Sequence, residues 1–185
     1  MGDASLNRKE NEAAFAVQQP DYSKAERLAL DLLEKYHVEE PPIVAVNIAR
    51  KEGLKVRGAD FSELLNEYPL VSGFINPKEG VLYVNKDETS QRQNFTIAHE
   101  LGHYVLGHTR NQEEYADVLF RLRGAYKDNH FTEKEANAFA ANLLMPRKLF
   151  QEWIYKYPFI NDYQLSGIFG VSLQAVQNRR EYLKL

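Results

Sequence analysis

The residues of this chain best suited to chemistry lie between Phe95 and His108, FTIAHELGHYVLGH, where His99, Glu100 and His103 read H-E-x-x-H. If the segment is an α-helix, the two histidines sit one turn apart and point the same way. Two imidazoles at that spacing can share one metal ion, and Glu100, the next position round the helix, can reach a water on it. Zinc suits such a site best, because neutral imidazole and carboxylate are its usual catalytic ligands and it tolerates an open fourth position. Glu100 is then the general base, taking a proton from the attacking water and passing it to the leaving amine. A five-residue pattern also arises by chance, and histidines on helices are often only hydrogen-bonded, so the surroundings decide.

The surroundings support a buried metal helix. Ile97, Ala98, Leu101 and Val105 fall roughly opposite the histidines and give the helix an apolar back. Gly102 is a poor helix former, which predicts that another element comes close there. Two histidines leave zinc short of a third protein ligand. The segment TEKEANAFAANLLMP, from Thr132, reads as a second helix with Glu133 and Glu135 as candidates. Thr132 and Glu135 have the spacing of a capping box, which gives Glu135 a structural task. If Glu133 binds the metal, Asn137 shares its helix face and can hydrogen-bond a ligand histidine from behind. The equivalent neighbour of Glu135 is Phe139, which can orient nothing. This reading favours Glu133 and leaves His108 and His130 ranked below it. His108, five residues past His103, is expected off the ligand face, and both His108 and His130 read as surface or loop histidines. Tyr104, Tyr115, His108 and His130 are available to support an oxyanion, and spacing selects none of them.

Composition bounds the rest. The chain has 185 residues, a length that suits one domain with a small appendage. It contains no cysteine, which excludes disulfides and thiolate zinc sites and fits a reducing cytoplasm. A formal net charge of −3 gives no reason to expect nucleic acid or an anionic membrane as partner. No run approaches a membrane span, and the first residues lack an apolar signal core.

Taken in order, residues 1–20 read as a polar tail or loosely docked arm. Residues 21–148 form the candidate catalytic domain, and 149–185 a C-terminal helical segment packed on it. Tyr22 to Tyr36 has helical periodicity. A second helix opens at Pro42 and stops near Gly53. LKVRGADF reads as a strand, and SELLNEYP as a short helical or irregular piece. Val71–Ile75 and Val81–Val84 flank Asn76-Pro77-Lys78-Glu79-Gly80 as a hairpin, whose exposed edge can pair with an extended peptide and lay it across the metal. Residues 109–131 are the hardest to read, with one candidate strand at Asp117–Leu122 and the character of a lid or specificity loop. RKLFQEWIYKY forms a helix after Pro146. The tail reads as two short helices, the first closed by Gly170 and the second capped by Ser172. The fold class is α+β, mostly helical, with a small sheet beside the metal helix.

RQNFTIAHELGHYVLGH followed by E-x-E-A-N-x-F-A-A-x-L-L-M-P resembles the ImmA/IrrE family of zinc metallopeptidases. The matching positions are His99, Glu100, His103, Glu133, Asn137 and Leu143-Leu144-Met145-Pro146. The resemblance runs from about Tyr22 to the C-terminus; the first 20 residues and much of 109–131 fall outside it. It implies a zincin-like, gluzincin-type fold with Glu133 as third zinc ligand, and a protein substrate that is a helix-turn-helix repressor or antitoxin. Two other functions compete with it. LSGIFGVSLQAVQNRR looks like a helix, a glycine turn and a second helix, and Gln174, Gln177, Asn178 and Arg179 are the residues that would meet DNA. Alternatively, an intact zinc site binds and sequesters a regulator, or serves as a toxin component, without cutting.

Overall fold

The computed structural model describes residues 19–62, 71–109 and 130–185. The expectations for the N-terminal arm, for most of SELLNEYP and for the strand at 117–122 lie outside the described residues, and so does Tyr115.

Helix α1 (Tyr22–Lys35) opens at Asp21, whose side chain accepts from the Lys24 N–H at 2.8 Å and satisfies one of the free donors of the first turn. Its apolar stripe, Ala25, Ala29, Leu32 and Leu33, is buried. Helix α2 (Ala45–Lys51) starts later than the sequence suggests, beyond Pro42. The cause is a side chain from elsewhere. Asn94 accepts from the Ala45 N–H at 2.8 Å and donates to the Ile43 carbonyl at 2.9 Å, so it supplies the cap that Val44 lacks.

Strands β1 (Lys55–Ala59), β2 (Gly73–Asn76) and β3 (Val81–Asn85) form one sheet in the order β1-β3-β2. β2 and β3 are the antiparallel hairpin expected from the turn residues, and β1 joins β3 in parallel. One face rests on helix α3 (Ser90–Leu106), which carries the histidines. A Cβ on Gly73 would stand 2.5 Å from Thr96 Cγ2 and 2.8 Å from the Tyr83 carbonyl, so only glycine lets β2 lie this close to α3. Gln93 braces the turn into α3: its Nε2, with two hydrogens to share, lies 3.0–3.1 Å from the carbonyls of Asn85, Lys86 and Glu88.

Helices α4 (His130–Leu144), α5 (Arg147–Lys156), α6 (Asp162–Phe169) and α7 (Leu173–Leu183) complete the described chain. α4 begins at His130, so Thr132 lies inside its first turn and is not the N-cap expected from sequence. Gly170, at φ +64°, closes α6, and the Ser172 side chain caps α7, as the sequence indicates. Among the described residues one apolar core runs from Ala25 through Leu82, Leu101, Phe139 and Phe150 to Phe169 and Val176. The described residues form an α+β fold, mostly helical, with one small sheet. Among the described residues no helix is long and apolar enough to cross a membrane.

Arg179 joins α7 to this core. It is 4% exposed; its Nε donates to the Met145 carbonyl at 2.9 Å and a terminal nitrogen donates to Asn142 Oδ1 at 2.7 Å. Burial, then the charge of Arg147, lowers its pKa to about 10. The guanidinium covers the carbonyl just past the end of α4, where the helix dipole favours a cation. Arg179→Met is expected to lower stability by about 2–4 kcal/mol in urea unfolding, because two buried acceptors lose their donor.

Candidate metal centre

Among the described residues α3 and α4 are the most closely associated helices, and small residues let them approach. Ala136 and Ala140 on α4 are fully buried. A Cβ on Gly102 would stand 3.0–3.2 Å from the ring and Cβ of Phe139, itself without exposure. This is the close approach that a glycine inside the histidine-bearing helix predicts. Gly102→Val is therefore expected to cost about 1–3 kcal/mol by overpacking. It also pushes α4 away from His103, so chemical denaturation and divalent-metal titration of that variant should both show a loss.

The approach brings two pairs of residues, each one turn apart, face to face: His99 and His103 on α3, Glu133 and Asn137 on α4. His103 Nε2 lies 3.1 Å from His99 Nε2. Glu133 places Oε1 3.2 Å from His103 Nε2 and Oε2 3.3 Å from His99 Nε2. Ligand atoms about 2.0–2.1 Å from a tetrahedral zinc ion are separated by roughly 3.3–3.4 Å, so these separations match the edges of such a shell. The far side of each ring is also engaged. His99 Nδ1 lies 3.0 Å from Asn137 Oδ1, and His103 Nδ1 lies 3.1 Å from His108 Nδ1. With Nδ1–H donating outward in both rings, both Nε2 lone pairs face one point. Two lone pairs and a carboxylate can meet there only around a proton or a cation. The three side chains, His99, His103 and Glu133, could hold a metal ion.

Electrostatics agree. Burial alone pushes the Glu133 carboxyl up, but hydrogen bonds and charge from His103 and His99 outweigh it and hold the group well below the usual carboxylate range. Burial lowers the His99 pKa, and the Glu133 hydrogen bond and the Glu100 charge reverse that to a net rise. The side chains of His99 and Glu133 keep 16% and 24% exposure while that of His103 keeps 1%, so solvent reaches the group from the His99 and Glu133 side. Glu100 follows His99 on α3 and is buried.

Two sequence expectations need correction. Glu135 does not close a capping box. Its Oε1 accepts from the Asp21 N–H at 2.7 Å, and its Oε2 lies 2.9 Å from His108 Nε2. His108 lies in the turn past α3 but is not a surface histidine; its side chain is 11% exposed. It is off the ligand face but stands directly behind His103. The displacement comes from the end of α3. Gly107 adopts φ +87°, its N–H bonds the Tyr104 carbonyl at 3.2 Å, and the His108 N–H bonds the His103 carbonyl at 2.9 Å. That is a Schellman turn, and it folds residue 108 back over residue 103. The sign of it in the sequence is the Gly107-His108 pair at the helix end. Burial, then the His103 charge, keeps the His108 pKa below the ordinary value. Tyr104 is exposed, and nothing about its position marks it as an oxyanion donor. Arg179, placed by sequence on a candidate DNA-reading helix, points inward, and Gln174 donates to Asn178 on the same helix.

Comparison with known proteins agrees with the geometry. The radiation response metalloprotease IrrE of Deinococcus radiodurans is 30% identical over 88 residues, which are 46% of this chain and 25% of that protein. The match thus spans a quarter of the relative's length. A transcriptional regulator of Mycobacterium tuberculosis shares the fold, with a TM-score of 0.61 at 17% identity over 85% of this chain and 46% of the other. The family of IrrE N-terminal-like domains, peptidase M78, matches residues 49–181, from α2 into α7 with all of α3 and α4 between. Bearing the histidine pair and its facing glutamate within that span, the chain belongs to the IrrE N-terminal-like family.

Proposed function

We propose that the protein is a zinc-dependent endopeptidase with a zincin-like catalytic fold, acting on a helix-turn-helix repressor or antitoxin. The observation that supports it most is the meeting of His99 Nε2, His103 Nε2 and Glu133 at edge lengths suited to tetrahedral zinc, beside a carboxylate in H-E-x-x-H register. Zinc fits this donor set of two imidazole nitrogens and one carboxylate, and when bound it supplies Lewis-acid polarisation of a peptide carbonyl and acidification of a water.

The protein's own residues do the remainder. His99, His103 and Glu133 hold the ion, and Asn137 fixes the His99 ring by accepting its Nδ1 proton. Glu100 removes the proton from the attacking water and returns it to the nitrogen of the leaving amine, so one carboxylate serves as base and then as acid. β2 is an edge of the sheet among the described residues, and it touches α3 at Thr96, one turn before His99. An extended peptide pairing with that edge is carried along α3 toward the histidines. The substrate class rests on the family resemblance, and a cytoplasmic setting on the cysteine-free composition.

The test is incubation of the purified protein with a helix-turn-helix regulator encoded beside it, with zinc and with a chelator. Mass spectrometry should find two fragments with zinc and intact regulator with chelator. An intact regulator held in a stable complex under both conditions would instead establish sequestration.

A further inference from the structure

Glu135, His108 and His103 form a chain whose hydrogen positions are dictated from its Glu135 end. Glu135 takes the Asp21 N–H at 2.7 Å on Oε1 and faces His108 Nε2 at 2.9 Å with Oε2. A carboxylate only accepts, so His108 carries its proton on Nε2 and leaves Nδ1 as an acceptor. His108 Nδ1 lies 3.1 Å from His103 Nδ1. His103 must then carry its proton on Nδ1, and its Nε2 lone pair is the one that remains, aimed at His99 and Glu133. Reversal of any one tautomer would place two protons or two lone pairs against each other somewhere along the chain.

We infer that His108 and Glu135 are positioning residues for metal binding: they lock His103 in the Nδ1–H tautomer, hold its ring in place, and raise its affinity for the ion. This rests on the reading of His99, His103 and Glu133 as the metal site. The two histidine ligands are then supported differently. His99 is backed by one neutral amide on α4, whereas His103 is backed by a mostly buried imidazole and a carboxylate. That carboxylate also receives the N–H of the α1 cap residue, at the positive end of a helix. Lys24, in the first turn of α1, donates to the Leu106 carbonyl at 3.2 Å and pins the end of α3 where the chain reverses into His108. The docking of α1 is thereby coupled to the metal site without contributing a ligand.

The experiment measures zinc affinity of the full chain by competition with a chromophoric chelator, for wild type, His108→Ala, His108→Asn and Glu135→Gln. Long-range proton–nitrogen NMR of the His103 ring accompanies it. Partners behind metal-binding histidines are typically worth about 10–100-fold in affinity, and His108→Ala is expected to lose that much. The His108→Asn variant keeps an acceptor near the position of Nδ1 and should recover most of the loss, which a purely structural role would not predict. Glu135→Gln should fall between them. The wild-type ring should show its proton on Nδ1 and zinc on Nε2. His103 protonated on Nε2, or His108→Ala binding zinc as tightly as wild type, would overturn the inference while leaving the metal site intact. Absence of zinc binding by the wild type would instead remove the metal reading, and this inference with it.

Discussion

Glu100→Gln is expected to bind zinc like the wild type and to cleave the proposed regulator substrate about 10³-fold more slowly, a loss of roughly 4 kcal/mol of transition-state stabilisation. The amide keeps the size of the carboxylate, so the buried position on α3 is still filled. What it lacks is a site to accept the proton of the attacking water, and hence a proton for the leaving amine. Since no ligand is removed, zinc content should match that of the wild type, and the loss should appear in kcat more than in KM. Single-turnover cleavage assays on metal-loaded protein measure this directly. Cleavage at close to the wild-type rate would take Glu100 out of the mechanism.

Glu133→Ala should have the largest effect on metal binding. Among the described residues it removes the carboxylate that faces both Nε2 atoms. Outer partners of metal histidines are worth about 10–100-fold, so loss of a direct ligand is expected to exceed about 100-fold in zinc affinity. The same substitution has a signature in the zinc-free chain. The Glu133 pKa is depressed in the fold, so its contribution to stability is present above the ordinary carboxylate pKa and is lost as pH falls through the folded value. The His99 pKa is raised, so its contribution is present below the ordinary histidine value and is lost as pH rises through the folded one. Zinc-free wild type should thus exceed Glu133→Ala in stability most clearly between those two ranges. Thermal unfolding across pH checks this; equal melting at every pH would show that the pair adds nothing to the fold.

The parts of this architecture that are legible in the sequence share a physical cause: short-range periodicity. His99 with His103, and Glu133 with Asn137, are i,i+4 pairs, so a helix alone determines that each pair shares a face. Gly102 announces a close neighbour because a helix interior has little other use for glycine, and Phe139 is that neighbour. The hairpin of β2 and β3 follows from its turn residues. What the sequence hides depends on contacts distant along the chain or on a change of backbone hand. The α2 cap comes from Asn94, 49 residues beyond Ala45. Glu135 reads as a cap of its own helix because its true partner, the Asp21 N–H, lies 114 residues away. Extending α3 as a regular helix places His108 off to one side, whereas the left-handed Gly107 reverses the chain and returns the imidazole to His103. Arg179 looks available to DNA only because its acceptors, the Met145 carbonyl and Asn142, lie far from it in sequence.

The central claim is that one divalent ion sits between α3 and α4. Its most direct test is a crystal structure of the zinc-loaded protein with anomalous data collected at the zinc edge. The account predicts one peak per chain, about 2.0–2.1 Å from His99 Nε2, His103 Nε2 and a Glu133 oxygen, with a remaining position open to solvent. A peak bound through other residues, or none at all between those three side chains, would contradict it.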